Sequence, residues 1–284
     1  MSKFLEKLKA EIGSNSSVIR ISEYHDGVIE TDEYMRLSRN QNVYSIAKLF
    51  TVTAIGLLYD RGFLNLTDKV CDILSDDIPT KRMDNRWKDV TIEMALKHRI
   101  GLPSGFLDID TTNSSVFGED YLGYMLTYQL EYTPDTDSKY SDGAYYLLAR
   151  VAEKICGCSL ENYLWKTMLK ELNFQEIAWS HCPMGHVIGA TGLYIHSEDI
   201  VKLGIVYLNK GIYNGKLILS EEWCNLAVNK NYSLAWDETH TIVSKGGMYG
   251  QKLIIVPSQN RVVAIQSFGA DTKLIENFIV NYAE

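Results

Sequence analysis

Tyr44-Ser45-Ile46-Ala47-Lys48-Leu49-Phe50 contains the one Ser-x-x-Lys pair of the sequence and opens a long apolar run. The run from Ile46 to Leu58 is rich in Ala, Leu, Ile and Val, and Gly62 follows it closely. This pattern predicts a buried helix with Gly62 as its stop signal. Ser45 would then lie in the first turn, with Lys48 three residues on along the same face.

The pair can be interpreted as a nucleophile and its base. A serine hydroxyl is a weak nucleophile unless a neighbouring group takes its proton. A lysine that is shielded from water has a lowered pKa and can act as that group, and the start of a helix adds positive potential. Both residue types are common, so a chain of this length should hold about one such pair by chance. The motif therefore needs support from the rest of the sequence.

The composition is that of an ordinary globular protein. The 284 residues are 46% hydrophobic and 23% charged, with a formal net charge of -8 and an isoelectric point near 5.3. The length allows one large domain or two modest ones. The negative charge argues against nucleic acid and anionic membrane surfaces as partners, because both reward basic patches. We expect a small-molecule partner; the oligomeric state stays open.

Five cysteines stand at positions 71, 156, 158, 182 and 224. Cys156-Gly157-Cys158 is too tightly spaced for the usual zinc knuckle, and no second pair accompanies it. We expect reduced structural thiols, no metal and no organic cofactor. The N-terminal segment is an amphipathic helical pattern without the apolar centre of a signal peptide, and no apolar run reaches the length of a membrane span. We therefore expect a cytoplasmic protein without a membrane partner.

Strand patterns lie at the two ends of the chain, and helical patterns fill the middle. Strands are predicted at 18–22, 28–31, 241–244, 251–256 and 261–267,. Helices are predicted at 3–12, 46–58, 90–98, 121–130, 144–155, 159–169, 199–208, from 220 onwards and at 271–282,. This order predicts an α/β (α+β) fold, in which an antiparallel sheet is built from both termini, is flanked by helices and carries an inserted all-helical region. We place the sheet domain at 1–42 and 187–284, and the helical domain with Ser45, Lys48 and Tyr140 at 43–186.

Two further stretches could carry chemistry. Tyr140-Ser141-Asp142 lies in a turn before a helical pattern, where a tyrosine is usually only a surface aromatic. Lys245-Gly246-Gly247-Met248 leads through Gln251 into an apolar strand. A glycine-rich approach to a strand lets a substrate come close to the backbone, although an ordinary hairpin turn looks the same.

Taken together, these stretches resemble the serine β-lactamase and penicillin-binding-protein superfamily, in its class C-like branch of β-lactamases, D-amino-acid hydrolases and esterases. The resemblance covers nearly the whole chain and implies a β-lactamase/transpeptidase-like fold. The matching segments, in the family's order, are Ser45–Lys48 for the nucleophile motif, 98–103 for the His-x-(Ser/Thr)-Gly-Leu loop, 140–142 for Tyr-x-Asn, 192–199 for Gly-Gly-Leu-x-Ser-x-x-Asp, and 245–247 for Lys-Thr-Gly.

The resemblance implies a role for each matching residue. Ser45 would attack a carbonyl and form an acyl-enzyme, and Lys48 and Tyr140 would move the proton between them, with the formal base left open. Lys245 would supply positive charge for the substrate. The backbone N–H groups of Ser45 and Met248 would hold the oxyanion, and the same Lys48 and Tyr140 pair would activate the deacylating water.

Two departures from the family pattern bear on the substrate. Position 142 is Asp where Asn is usual, and an ionised carboxylate accepts hydrogen bonds but donates none. Position 246 is Gly where Thr is usual, so a hydroxyl is missing beside Gly247. Asp142 either faces the substrate beside Lys48 or caps a helix that begins at Gly143. A class A mechanism is rejected, because Leu169 stands where its loop glutamate would be.

The leading hypothesis is a serine hydrolase that acts on a small ester, a β-lactam or a D-amino-acid amide or peptide. Small esters and amides rank first, because the residues at 142 and 246 weaken the case for β-lactams. The alternative is a relative that is acylated without turnover, as in a penicillin sensor, or one that is not catalytic.

Overall fold

The computed structural model describes residues 1–13, 17–78 and 83–282. The chain forms two compact units. The first unit contains Met1–Leu49, Met168–Ala178 and Leu193–Glu284, and the second contains Phe50–Thr167 and Trp179–Gly192. Ser45 and Lys48 thus belong to the first unit, whereas the sequence-based division placed them in the helical domain.

Helices and strands appear close to their predicted positions. The helices are α1 (Lys3–Ile12), α2 (Ala47–Asp60), α3 (Val70–Ile73), α4 (Ile92–Leu96), α5 (Tyr121–Thr127), α6 (Asp142–Cys156), α7 (Leu160–Leu164), α8 (Ser197–Leu208), α9 (Glu221–Asn229) and α10 (Thr272–Asn281). The strands are β1 (Val18–His25), β2 (Val28–Glu33), β3 (Gln41–Asn42), β4 (Ala178–Trp179), β5 (Leu193–Ile195), β6 (Ile212–Tyr213), β7 (Lys216–Leu217), β8 (Ala235–Trp236), β9 (Val243–Gly246), β10 (Lys252–Val256) and β11 (Arg261–Ser267).

The first unit is built on a six-stranded antiparallel sheet, with the strand order β2-β1-β11-β10-β9-β8. The N-terminal β1 pairs with the C-terminal β11, with Ile21 opposite Ile265. This confirms the predicted sheet made from both termini. All seven residues of β11 are buried, because helices cover both faces of the sheet.

On one face, α1 and α10 form a core with the sheet. Phe4, Leu5 and Leu8 of α1 are buried against Ile275 and Ile279 of α10 and the inward side chains of the strands. The sheet is also covered by α8, which packs against β1, β10 and β11. In α1, the apolar residues that recur at helical spacing in the sequence are therefore the ones that the structure buries.

The second unit is helical and centres on α6. Every residue of α6 from Asp142 to Glu153 is buried, because α3, α4 and α7 pack around it. Gly157 ends α6 in the left-handed conformation, as predicted from its position after the apolar pattern. The part of α2 in this unit is tied to a loop by the Thr51 hydroxyl, which donates to the Gly189 carbonyl at 2.7 Å.

The local features that differ from the prediction include a short strand and two helix boundaries. The two-residue β3 pairs with β5, a strand too short for sequence periodicity to show. The helix expected at 159–169 ends at Leu164 and continues as a π-helical turn at Trp165–Leu169. The helix expected to begin after Asp142 begins at Asp142 itself, with Ser141 at the N-cap. In the described residues, no helix is both long and apolar enough to cross a membrane.

Candidate active site

Ser45 lies in a short 3-10 turn, Tyr44–Ile46, that leads directly into α2. Strand pairing sets the position of this turn, because the Val43 amide donates to the Leu193 carbonyl of β5 at 2.8 Å. The Asn42 side chain accepts a hydrogen bond from the Tyr44 amide at 2.9 Å. Tyr44 adopts a positive φ of 47°, a conformation that costs a residue with a side chain on the order of 1–3 kcal/mol. The turn is therefore held against local preference by its surroundings.

Lys48 lies one turn further along, within the first unit. Its side chain is fully buried, and its Nζ donates to the Ser45 Oγ at 3.1 Å. Ser45 itself is only half-buried. A partly exposed serine hydroxyl thus lies within hydrogen-bond reach of an amine that is shielded from water, and an activated serine needs a basic group at this distance.

Gly247 brings the end of β9 against the turn that contains Ser45. A Cβ added to Gly247 would lie 2.5 Å from the Val43 carbonyl oxygen and 3.4 Å from the Ser45 amide nitrogen. Real Cβ atoms do not approach other atoms this closely, so close packing, and not backbone torsion, requires glycine here. At Gly246, by contrast, an added Cβ would find its nearest neighbour, the Lys252 side chain, at 3.9 Å.

Met248 begins a tightly held turn that follows Gly247. The Gly247 amide donates to the Gln251 carbonyl at 2.7 Å. The Tyr249 carbonyl accepts two hydrogen bonds, from the Ser267 hydroxyl at 2.7 Å and the Gly269 amide at 2.8 Å. These bonds fix the backbone of Met248 relative to the strand end that contacts Ser45. Lys245 is half-buried at the end of β9, opposite Leu253 of β10.

Tyr140 lies in the second unit, on the segment that enters α6. Its side chain is 46% exposed, and its ring centroid is 4.5 Å from that of His98. The Nδ1 of His98 accepts a hydrogen bond from the Ser141 amide at 3.2 Å, so this nitrogen carries no proton. The His98 ring also lies 4.9 Å from the ring of Tyr145. His98 thus orients the Tyr140 segment through both its ring and its nitrogen.

Asp142 is buried in the first turn of α6, where a negative charge is favourable. Its carboxylate lies within 4.8 Å of those of Asp108 and Asp110. The Asp110 carboxylate in turn accepts a hydrogen bond from the Thr191 hydroxyl. Ser141, and not Asp142, occupies the N-cap, and its side chain makes no capping bond. Helix α6 therefore begins one residue earlier than the capping interpretation of Asp142 assumed. The three carboxylates form a cluster that could in principle ligate a cation, and we assign it no metal.

Each unit thus holds a part of the predicted set. The first unit brings together Ser45, Lys48 and the Gly247 backbone, with Lys245, Gly246 and Met248 on the same strand end and turn. The second unit holds Tyr140 and Asp142 at the start of α6. Two features were not foreseen: the contact of His98 with Tyr140, and the acidic neighbours of Asp142. The sequence contained one signal for the role of His98, which is the first residue of the family-like stretch 98–103.

The family model for Beta-lactamase matches residues 41–273 of the chain. A curated relative, the N-acetylmuramyl-L-alanine amidase of Bacillus subtilis (strain 168), is 22% identical over 263 residues, which covers 73% of this chain and 58% of the relative. A protein of Salmonella agona (strain SL483), provisionally named D-alanyl-D-alanine carboxypeptidase, is 24% identical over 247 residues, which covers 80% of this chain and 54% of that protein. The chain spans little more than half the length of these curated relatives.

Among solved structures, EstCE1, described as a hydrolase with promiscuous acyltransferase activity, superposes with a TM-score of 0.75 at 14% identity, covering 99% of this chain and 98% of that chain. A class C β-lactamase from Rhodobacter sphaeroides superposes with a TM-score of 0.68 at 14% identity, covering 98% and 99%. These structures share the fold that was predicted from the strands at both termini and the helical middle. With the family model spanning most of its length, the chain belongs to the Beta-lactamase family.

Proposed function

We propose that the protein is a serine hydrolase that forms an acyl-enzyme on Ser45. The observation that carries this proposal is the hydrogen bond from the buried Nζ of Lys48 to the half-buried Oγ of Ser45, at 3.1 Å. The close packing of Gly247 on the same turn supports it. A general base must lie within hydrogen-bond reach of the hydroxyl that it deprotonates, and Lys48 meets this condition.

In the proposed acylation step, the Ser45 Oγ bonds to the substrate carbonyl carbon while its proton leaves. Lys48 and Tyr140 take part in this transfer, and which of them is the formal base stays open. The proton then passes to the leaving alcohol or amine as its bond to the carbonyl carbon breaks. In deacylation, the same two groups take a proton from water, which attacks the acyl carbon and returns the Ser45 hydroxyl.

The developing oxyanion requires hydrogen-bond donors that are already in place. We assign this role to the backbone N–H groups of Ser45 and Met248. The packing of Gly247 against the Ser45 amide and the hydrogen bonds that fix the turn after it support this assignment. Lys245, at the end of β9, is proposed to offer its positive charge to the substrate.

We propose small esters and amides as the first substrate class, ahead of β-lactams and D-amino-acid peptides. Asp142 stands where the family has Asn, and we infer that its carboxylate would offer a substrate amide only acceptors and would repel an anion. Gly246 brings no hydroxyl to a substrate carboxylate. The relatives and structural neighbours are named as an amidase, a carboxypeptidase, a hydrolase with acyltransferase activity and a β-lactamase, and experiment decides among these acyl compounds.

A fluorophosphonate probe tests the nucleophile. We expect one equivalent of label on Ser45 by peptide mapping, and none in Ser45→Ala. Ser141→Ala is the matched control, because the Ser141 hydroxyl is fully buried and should not react. Label that persists in Ser45→Ala, or that maps to Ser141, would overturn the assignment.

Intact mass separates an enzyme from a protein that is acylated without turnover. After reaction with a nitrophenyl ester or a penicillin, a hydrolase returns to its free mass, whereas a sensor keeps the added acyl group. Turnover across nitrophenyl esters, nitrocefin and D-Ala-D-Ala peptides then ranks the substrate classes. We expect the esters to be the best of the three.

A further inference from the structure

Three aromatic side chains of the first unit form a continuous row that the proposed chemistry does not use. The ring centroids of Tyr44 and Tyr249 lie 5.3 Å apart, and those of Tyr249 and Phe268 also lie 5.3 Å apart with planes inclined by only 4°. Phe268 is 67% exposed and Tyr249 is 47% exposed. We call these three residues the aromatic row. The row thus presents stacked apolar rings to solvent.

The aromatic row is attached to the proposed catalytic groups through the chain itself. Tyr44 directly precedes the nucleophile Ser45, and Tyr249 directly follows Met248, whose amide we assign to the oxyanion. Both tyrosines have positive φ values, of 47° and 58°. Bulky residues are uncommon in this conformation, and such positions cluster at functional sites. The two strained residues thus flank the two proposed oxyanion donors.

The backbone also holds Phe268 in place, although its ring is exposed. Ser267 and Gly269, on either side of it, both donate to the Tyr249 carbonyl, at 2.7 and 2.8 Å. The Phe268 amide donates to the Ser17 carbonyl at 2.8 Å. The stacking of Phe268 on Tyr249 is therefore fixed by hydrogen bonds on three consecutive residues.

We propose that the aromatic row is a substrate subsite for a planar aromatic group carried close to the scissile carbonyl. This inference rests on the proposed function. Exposed apolar patches beside a polar site mark ligand-binding surfaces, and the rings are too exposed to contribute much to the core. Aromatic faces prefer aromatic partners in stacked or edge-on contact over non-planar groups of equal area. A substrate held at Ser45 would place its neighbouring group beside Tyr44, where the row begins.

Pairs of substrates with equal bulk test the proposal. Ethyl phenylacetate is compared with ethyl cyclohexylacetate for an aromatic acyl group, and benzyl acetate with cyclohexylmethyl acetate for an aromatic alcohol, by titrating the released acid. We expect kcat/KM to favour the aromatic member of one pair by about 3- to 10-fold. The pair that shows the preference locates the aromatic group on the acyl or the alcohol side.

Variants connect this preference to the row. Phe268→Leu keeps an apolar side chain but removes the ring, and Tyr249→Asn removes the ring with a residue that tolerates positive φ. Both variants should bring the ratio of kcat/KM for the aromatic substrate to that for the cyclohexyl substrate close to one. Tyr249→Phe keeps the ring and should retain the wild-type ratio. Phe63→Leu is the matched control, because Phe63 is 62% exposed but lies in the other unit. The subsite is wrong if wild type shows equal kcat/KM for the aromatic and cyclohexyl members of both pairs. It is also wrong if the preference survives both ring-removing variants.

Failure of the proposed function gives a different result. If Ser45 takes no fluorophosphonate and no ester is hydrolysed, the catalytic assignment is wrong, and the subsite is then tested by calorimetric titration. Phenylacetate should bind wild type more tightly than cyclohexylacetate, and Phe268→Leu should lose the difference. Equal binding of the two acids to wild type would overturn the subsite.

Discussion

The nucleophile turn of the first unit and the Tyr140 segment of the second are held in place by different means. Around Ser45, strand pairing and direct backbone packing leave no room for a single methyl group at Gly247. Around Tyr140, the contacts include a ring pair with His98, a hydrogen bond from the Ser141 amide to the His98 Nδ1 and one from the Gly105 amide to the Tyr140 carbonyl at 2.9 Å, and the tyrosine side chain stays 46% exposed. The comparison shows that close backbone packing positions the proposed nucleophile, whereas side-chain contacts with His98 contribute to positioning the proposed proton carrier.

Lys48→Met should have the largest effect on activity. It replaces the buried amine with an apolar side chain of similar length, so it removes a proposed proton carrier without opening a cavity. We expect kcat/KM for a nitrophenyl ester to fall by about 10³-fold. The melting temperature should change little, because the apolar side chain fills nearly the same buried space. A large loss of stability with only a small loss of kcat would show that Lys48 is structural.

Gly247→Ala should cost about 100-fold in kcat/KM, because a displacement of the nucleophile turn by an ångström is enough to misplace the reacting atoms. The added Cβ would lie 2.5 Å from the Val43 carbonyl, so the turn or the strand end must move. Gly246→Ala, with its nearest neighbour at 3.9 Å, serves as the control for backbone effects. Equal losses in the two variants would contradict the packing argument.

His98→Ala should reduce kcat on the order of 10-fold, since Tyr140 remains present but loses the ring and the acceptor that orient it. Fluorophosphonate labelling of Ser45 should slow by a similar factor. His98→Asn keeps a hydrogen-bond acceptor and suits the positive φ of 55° at this position, so it should recover part of the loss. The same substitution is also made in a Tyr140→Phe enzyme. If His98→Ala reduces kcat of that enzyme as much as it reduces kcat of wild type, His98 does not act through Tyr140.

Low pH should destabilise the second unit, because it removes the charge of Asp84. Asp84 accepts hydrogen bonds from Arg86, Gln129 and the Leu130 amide, and the bonds from Arg86 lower its pKa to about 2. The folded pKa lies below the unfolded value of 3.8, so this stabilisation is present above about pH 4 and is lost as the pH falls towards 2.

Asp84→Asn should therefore lower the melting temperature by about 2–4 °C at pH 7, which corresponds to about 1 kcal/mol, and the difference from wild type should vanish near pH 2. Asp89→Asn is the control, because its ion pair with Lys69 is exposed, and it should change the melting temperature little at either pH. A difference between Asp84→Asn and wild type that is independent of pH would show that the carboxylate charge is not the stabilising feature.

Side-chain periodicity made much of the fold predictable. The buried face of α1 follows from the 3.6-residue repeat of its apolar positions, the end of α6 from Gly157 after an apolar pattern, and the terminal strands from short apolar runs near the two ends of the chain. Short elements escaped prediction for the same reason. The two residues of β3 contain no period, and their strand conformation exists only through pairing with β5.

The sequence by itself determined the sheet from both termini, the helical middle and the contact of Lys48 with Ser45, since a spacing of three residues on a helix places two side chains on one face. Only the tertiary structure decided which glycine is indispensable, because both glycines of the Lys245-Gly246-Gly247 stretch look alike until Val43 and Ser45 lie against one of them. It also decided the aromatic row and the support of Tyr140 by His98. Those contacts join residues distant in the chain, and local sequence patterns carry no information about which distant segments meet in space.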